Sequence, residues 1–339
     1  MLRKIFLILV AGLGFFAAIF AEEKLAETKK AEQVVILGSG PAGLTSAIYA
    51  SRAGLSTTLI DGNEPGGQIT LSYLVDNFPG FPEGISGFEL SERMKQQAQR
   101  FGAKLESGQV VRVDLSSRPF TLFLDDGKKL QAQSLIVATG ASAKWLDLPS
   151  EKKLIGRGVT SCAVCDGAMY KDKEVVVIGG GDAAVEDAVF LTNYASKVTL
   201  VHRRDKLRAS KHLQKKAFAN EKIHFVWDSE VQEIFDPAKG EVEGIKIKNK
   251  KSGAESIISC QGVFVAIGHE PNTGLFVHQL DMNKEGYLTT EPFSTRTNIP
   301  GVFAAGDVAD PKFRQAVTAA GSGSMAALEA YNFMQSFSD

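Results

Sequence analysis

Gln33-Val34-Val35-Ile36-Leu37-Gly38-Ser39-Gly40-Pro41-Ala42-Gly43 is the stretch on which the reading of the chain turns. Residues 33–37 read as a strand buried on both faces, because a short apolar run rich in β-branched residues and ending in glycine suits the interior of a parallel sheet. The strand runs straight into a G-x-G-x-x-G turn, and a helical pattern follows as far as Ala53-Gly54. Glycine is needed where such a turn is tight, where backbone approaches a pyrophosphate and where helix packs on strand; the phosphate then rests on the helix N-terminus. The spacing alone is shared with ordinary tight turns. Here a second strand, 56–60, follows the helix and ends in Asp61, where an acidic side chain takes ribose hydroxyls. Gly38, Ser39, Gly40, Pro41, Ala42, Gly43 and Asp61 are therefore predicted to hold a dinucleotide.

Outward from this unit, Pro65-Gly66-Gly67-Gln68 places two glycines beside an amide, which suits close passage over a flat ligand. A loop-rich region with Pro79 and Pro82 leads to a predicted helix over 88–101. Strand-like segments at 108–114 and 120–124 predict a small antiparallel layer inserted between Rossmann elements. Residues 134–139 read as another buried strand, closed by Gly140, which joins the candidate ligand contacts.

The first pattern then recurs. Residues 174–178 read as a strand, Gly179-Gly180-Gly181-Asp182-Ala183-Ala184 as a G-x-G-x-x-A turn, and a helix runs to about Tyr194 before the strand 197–201. That strand ends in His202-Arg203-Arg204-Asp205, with Arg208 nearby, and no acid stands at the ribose position. Arginine there suits a 2′-phosphate by bidentate hydrogen bonding, which points to NADP rather than NAD; a solvated basic turn is the plainer alternative. Gly179, Gly181, Asp182, His202, Arg203, Arg204 and Arg208 form this second candidate set. Residues 262–268, before His269, read as a strand leaving a domain. The strand 301–305 delivers Gly306 and Asp307 to the carboxyl edge of a sheet, where open α/β sheets bind ligands. Arg314, Gln315 and Ala316 complete the first set, ahead of an alanine-rich helix expected to break at Gly321 and Gly323, with Gly323 letting the helix approach closely to a neighbour or serving a packing contact alone.

Cys162-Ala163-Val164-Cys165-Asp166-Gly167 contains two of the three cysteines. Such a pair can be a redox-active dithiol, part of a zinc site or an inert stapled turn. Structural zinc takes four ligands, and Cys260 with the scattered histidines supplies no second paired cluster, so no metal is expected. Asp166 favours the redox reading, since a dithiol exchanging electrons must gain and lose protons, although the same residue could cap a helix. Cys260, near Ile257 and Ile258, reads as a buried small hydrophobe.

At 339 residues, 44% apolar and 23% charged, the chain has room for two domains with full cores. A formal net charge of −1 gives nucleic acid no electrostatic reason to bind. Arg3 and Lys4 precede an unbroken apolar run over 5–21, followed by a polar linker over 22–31. This is the layout of a signal peptide with Ala21 as cleavage residue, or of an uncleaved anchor. The run, at residues 5–21, is the one expected membrane contact. The expected destination is an organelle or the exterior, with the cytoplasm as the alternative.

Taken in order, Gly66-Gly67-Gln68, the Cys162–Cys165 motif with Asp166, the His202-Arg203-Arg204-Asp205 run and Gly306-Asp307 make the chain resemble the low-molecular-weight thioredoxin reductases over nearly everything after residue 32. The resemblance implies an α/β fold of two Rossmann-like domains. FAD would lie on residues 32–143 and 272–339, and an NADPH domain, 144–271, would be inserted between them. Gly38, Gly40, Gly43, Asp61, Gln68, Asp307 and Gln315 would contact FAD; Gly179, Gly181, Arg203, Arg204 and Arg208 would hold NADPH. Cys165 would face the flavin, Cys162 would attack the partner disulfide and Asp166 would be proton donor and acceptor. Electrons would pass from NADPH through FAD and the dithiol to thioredoxin, in a homodimer whose domains rotate against each other. Arg157 would lie near the partner surface. Ala168 and Met169 depart from the bulky aromatics the family often has after the dithiol. Two rivals stay open at this point: a dithiol flavoprotein acting on another disulfide, and a flavin-containing binding or sensor module.

Overall fold

The computed structural model describes residues 31–235 and 240–337; the predicted signal segment and residues 22–30 of the polar linker lie outside the described residues. The first sheet is built from β1 (Glu32–Leu37), β2 (Thr57–Ile60), β3 (Lys104–Glu106), β4 (Val110–Asp114), β5 (Phe120–Leu124) and β6 (Lys129–Val137), in the order β3-β2-β1-β6-β5-β4. Helix α1 (Pro41–Arg52) links β1 to β2, and α2 (Gly87–Arg100) precedes β3. Val34, Val35 and Ile36 at the sheet centre are fully buried, each stabilising the fold by roughly 1.5–3 kcal/mol relative to exposure. Helix α2 starts where Ser86 accepts a hydrogen bond from the Glu89 amide at 3.1 Å, an S-x-x-E start that suits a helix N-terminus.

Strands β4 and β5 are antiparallel, as expected, but they extend the main sheet instead of forming a layer of their own. The reason is burial: Phe120, Leu122 and Leu124 share one core with Val35, Leu37, Phe276 and Leu280, so the hairpin cannot stand apart.

The chain leaves this sheet through β7 (Ala141–Ala143), then runs through α3 (Pro149–Leu154), β8 (Val159–Thr160) and the single turn α4 (Ala163–Asp166). Next come β9 (Glu174–Gly179), α5 (Asp182–Leu191), β10 (Lys197–Val201), α6 (Lys211–Phe218) and β11 (Ile223–Val226). A three-stranded antiparallel meander, β12 (Ser229–Ile234), β13 (Gly244–Asn249) and β14 (Glu255–Ser259), precedes β15 (Gly262–Ala266). The second sheet is wholly parallel, in the order β11-β10-β9-β15-β8. The chain returns through β16 (His269–Pro271), which pairs antiparallel with β7, so a two-stranded ribbon joins the domains. Back in the first domain, β17 (Val302–Ala304) pairs parallel with the second half of β6.

Helix α7 (Ala316–Gln335) is continuous through Gly321 and Gly323, contrary to the expected break. Each glycine costs a helix about 1 kcal/mol relative to alanine, but at Gly323 close packing overrides that preference. A Cβ there would lie 2.2 Å from the Ala42 carbonyl oxygen, and the Ser46 hydroxyl donates to the Gly323 carbonyl at 2.9 Å. Gly323 is the point where α7 crosses the start of α1.

Candidate active site

Strand β1 delivers Gly38 to the top of the first sheet, and α1 starts directly behind the turn with Pro41 at its first position. The Ser39 hydroxyl accepts from the Gly66 amide at 2.8 Å and donates to the Asp61 carbonyl at 3.4 Å. This stitches the glycine turn to the Gly66-Gly67 loop. Gly67, at φ 71°, approaches so closely that a Cβ on it would stand 2.9 Å from the Gly40 Cα. Between these loops opens a cavity of about 1660 Å³ that extends to the second domain, larger than the ~300–1,000 Å³ usual for a small-molecule pocket.

Gly38, Ser39, Gly40, Pro41, Ala42 and Asp61 all line it, as do Gly67, Gln68, Gly140, Gly306, Asp307, Arg314, Gln315 and Ala316. Gly43 and Gly66 stand behind that lining, where they shape the turns. The Asp61 side chain is buried, and its carboxyl has no hydrogen-bond partner among the described residues. A buried carboxylate without a protein donor suits a ligand that brings hydroxyls. Burial, and then the charge of Asp310, push the Asp307 carboxyl up to about 6 against the pull of Arg314. The glycine-lined opening at a helix N-terminus and the waiting carboxylates fit a dinucleotide such as FAD.

The dithiol reaches the same cavity from the other domain. Cys162 and Cys165 form a disulfide of 2.04 Å, the bond that both the redox dithiol and the stapled turn require. Cys162 caps α4, where its Sγ accepts from the Cys165 amide at 3.2 Å. The Gln315 amide faces both sulfurs, with Nε2 3.9 Å from Cys162 Sγ and Oε1 4.0 Å from Cys165 Sγ. Asn77 holds that amide by donating to Oε1 at 3.3 Å. Burial raises the Asp166 carboxyl above its ordinary range, and a hydrogen bond from the Thr160 hydroxyl pulls the other way.

Arg314 is the charged side chain around which the domains meet. Burial and Arg314 depress His269, on the joining ribbon, to about 4. Burial lifts Asp187, on α5, to about 7; Arg314 opposes this and Glu186 adds to it. Sequence reasoning missed Asn77, Thr160, His269 and Asp187 as site residues. His269 alone carried a local signal, at the exit of the strand 262–268.

The second glycine turn lies outside this cavity. The Arg208 amide donates to the Gly180 carbonyl at 2.7 Å and the Asp182 carboxyl accepts from the Ser210 amide at 2.6 Å, folding the arginine loop back over the turn. Arg203, Arg204 and Arg208 are exposed and make no ion pair or side-chain hydrogen bond among the described residues, whereas Asp205 is held by Lys251 at 3.2 Å. Three uncommitted guanidiniums beside a glycine turn fit the extra phosphate of NADPH. His202 is different: it is buried beneath Gly180, with its ring bonded to the Lys206 carbonyl at 3.1 Å, so it supports the loop from below.

Comparison with known proteins agrees with this layout. Residues 32–323 match the family described as pyridine nucleotide-disulphide oxidoreductase. A thioredoxin reductase of Rickettsia conorii is 52% identical over 303 residues, covering 89% of this chain and 98% of the relative. Among solved structures, thioredoxin reductase from Streptococcus pyogenes superposes with a TM-score of 0.87 at 40% identity, covering 91% of this chain and all of that one. Thioredoxin reductase from Lactococcus lactis in its FR conformation, also 40% identical and covering 90% of this chain and 99% of that one, gives 0.61. The family match spans most of the described residues and the relative is covered almost end to end, and so the chain belongs to the pyridine nucleotide-disulphide oxidoreductase family.

Proposed function

We propose that the protein is an FAD-containing thioredoxin reductase, in which NADPH, a proton and thioredoxin disulfide yield NADP⁺ and thioredoxin dithiol. The observation that carries this is the Cys162–Cys165 disulfide held against Gln315 inside the dinucleotide cavity. The chemistry supplied by bound FAD is relay of an electron pair from NADPH to that disulfide. Gly38, Gly40, Asp61, Gln68, Asp307 and Gln315 would hold it; Gly179, Gly181, Arg203, Arg204 and Arg208 would hold NADPH.

Once the pair is reduced, the Cys165 amide stabilises a thiolate on Cys162. That thiolate attacks one sulfur of the thioredoxin disulfide, forming a mixed disulfide and releasing one thioredoxin thiolate, which takes up a proton. Cys165 then gives its proton to Asp166 and attacks the Cys162 sulfur, which closes the ring and frees the second thioredoxin thiolate; the Asp166 proton passes to that thiolate and completes the dithiol. In the arrangement described, the dithiol occupies the cavity while the second glycine turn stands outside it. A rotation about the β7–β16 ribbon would exchange them. The lower superposition on the FR conformation, at equal identity, supports such an alternative arrangement.

NADPH oxidation with oxidised thioredoxin tests the reading directly. Cys162→Ser and Cys165→Ser should each abolish thioredoxin turnover yet leave flavin reduction by NADPH intact; turnover in either variant would refute the electron route.

A homodimer is supported by the outer face of α7, where Val317, Met325 and Leu328 are 43%, 41% and 50% exposed in the lone chain. Sedimentation of the wild type and of Leu328→Asp would decide it, a monomeric wild type refuting it. Targeting through residues 1–21, to an organelle or the exterior, is supported by the charged start and the apolar run. Fractionation of cells carrying a C-terminal tag tests it, and an uncleaved, wholly cytosolic product would refute it.

A further inference from the structure

We propose that Thr160 is a positioning residue for the proton carried by Asp166, tying that carboxyl to the backbone of Cys162. The proposal rests on the reading of Asp166 as the proton donor and acceptor of the dithiol. Thr160 ends β8, two residues before the disulfide loop, so the sheet fixes its backbone. Its hydroxyl donates to Asp166 Oδ2 and accepts from the Cys162 amide at 3.2 Å. A hydroxyl can do both at once. The result is a continuous chain from the Cys162 N–H through the Thr160 hydroxyl to the carboxylate.

This is the one hydrogen bond the carboxyl receives among the described residues. Its removal would leave a largely buried carboxylate without a donor, and the group would favour its neutral form more strongly. The hydroxyl therefore keeps Asp166 able to accept a proton as well as give one. It also fixes the carboxyl relative to Cys162, the residue proposed to attack thioredoxin. The other charged or titratable groups on this cavity are Tyr170 and Lys173 on the turn after α4, Arg157 before β8, Glu241 before β13, His269 on the ribbon, and Asp61, Glu64, Tyr73, Asp307 and Arg314 of the first domain. Asp187 packs in from α5. None of them hydrogen-bonds Asp166 among the described residues, so Thr160 is the local control on its proton.

The test is thioredoxin turnover against pH for the flavin-loaded full chain and for Asp166→Asn, Thr160→Val, Thr160→Ala and Thr160→Ser. Flavin reduction by NADPH serves as the control for intact cofactor sites. The limb of the profile lost in Asp166→Asn should move up by about one pH unit in Thr160→Val and Thr160→Ala, on the order of what one hydrogen bond to the charged form does to a carboxyl. It should return to the wild-type position in Thr160→Ser. A uniform fall at every pH, or an unmoved limb, overturns the role of Thr160 alone. A limb that survives Asp166→Asn overturns the reading of Asp166, and this proposal with it. Should the valine variant fold poorly, alanine and serine report the same limb.

Discussion

Gly323→Ala should destabilise the first domain even though alanine is the better helix former. The added Cβ would stand 2.2 Å from the Ala42 carbonyl oxygen, 2.9 Å from its carbonyl carbon and 3.0 Å from its Cα. A relaxed carbon-to-oxygen contact is about 3.3–3.6 Å, so α7 must retreat by roughly 1 Å where it crosses α1. All three opposing atoms are backbone, and no side chain can swing aside. Overpacking of this kind costs roughly 1–3 kcal/mol, and stretching the 2.9 Å bond from Ser46 to the Gly323 carbonyl adds about 1 kcal/mol. Helix propensity offsets about 1 kcal/mol. The net loss of about 1–3 kcal/mol corresponds to a fall in Tm of roughly 2–10 °C. Because Ala42 lies in the first turn of the helix that receives the pyrophosphate, flavin should also leave at a lower temperature. Differential scanning calorimetry and the rise of free-flavin fluorescence on heating measure both. An equal or higher transition for the variant would refute the argument, since it would mean that the crossing yields without resistance.

Other outcomes follow from the charged groups. Replacing Arg203 and Arg204 by alanine should raise the KM for NADPH by roughly 10- to 100-fold per arginine, the size expected for lost hydrogen bonds to a charged phosphate, and leave the KM for NADH unchanged; steady-state kinetics with both nucleotides checks this. His269, depressed to about 4 from 6.5, binds fewer protons folded than unfolded, so its contribution is complete above the unfolded value and is lost as pH falls towards 4. Asp187, raised from 3.8 to about 7, acts with the opposite sign and loses its contribution as pH rises across that interval. The two windows nearly coincide and oppose each other, so between these limits the urea midpoint of His269→Gln should fall with rising pH relative to the wild type, and that of Asp187→Asn should rise relative to it. Cys260 is fully buried and its thiol is pushed up to about 12, so the oxidised native protein should take up no alkylating reagent until it unfolds, as mass spectrometry would show.

Both glycine turns and their flanking strands were legible because their chemistry is local: a parallel strand, a tight turn and a helix start are neighbours in the chain. The dithiol and Asp166 were legible for the same reason. Asn77 and Thr160 were not, because an isolated amide or hydroxyl carries no pattern until the fold sets it against Gln315 or Asp166. Asp187 reads as an ordinary helix acid; what sets it apart is burial, opposed by Arg314 more than a hundred residues away in sequence, and neither shows in the local pattern. The break expected in α7 failed for a related reason. Propensity led to the break, whereas the close approach expected at Gly323 is what the crossing with α1 shows; only the fold could name Ala42 as the neighbour.

The ribbon determines how much of the first domain depends on the second. Ala143 lies opposite His269 and Ala141 opposite Pro271, and just outside the latter pair the Asn272 amide donates to the Gly140 carbonyl at 3.0 Å while the Thr139 hydroxyl donates to the Asn272 carbonyl at 2.8 Å. Entry and exit of the inserted domain are thus the two arms of one hairpin. A short loop could join those arms without disturbing the register of the first sheet, and the insert's own ends would remain adjacent. The second domain thus hangs from the first by a single paired ribbon. Insertions and deletions within the second domain could then accumulate without displacing a single strand of the first.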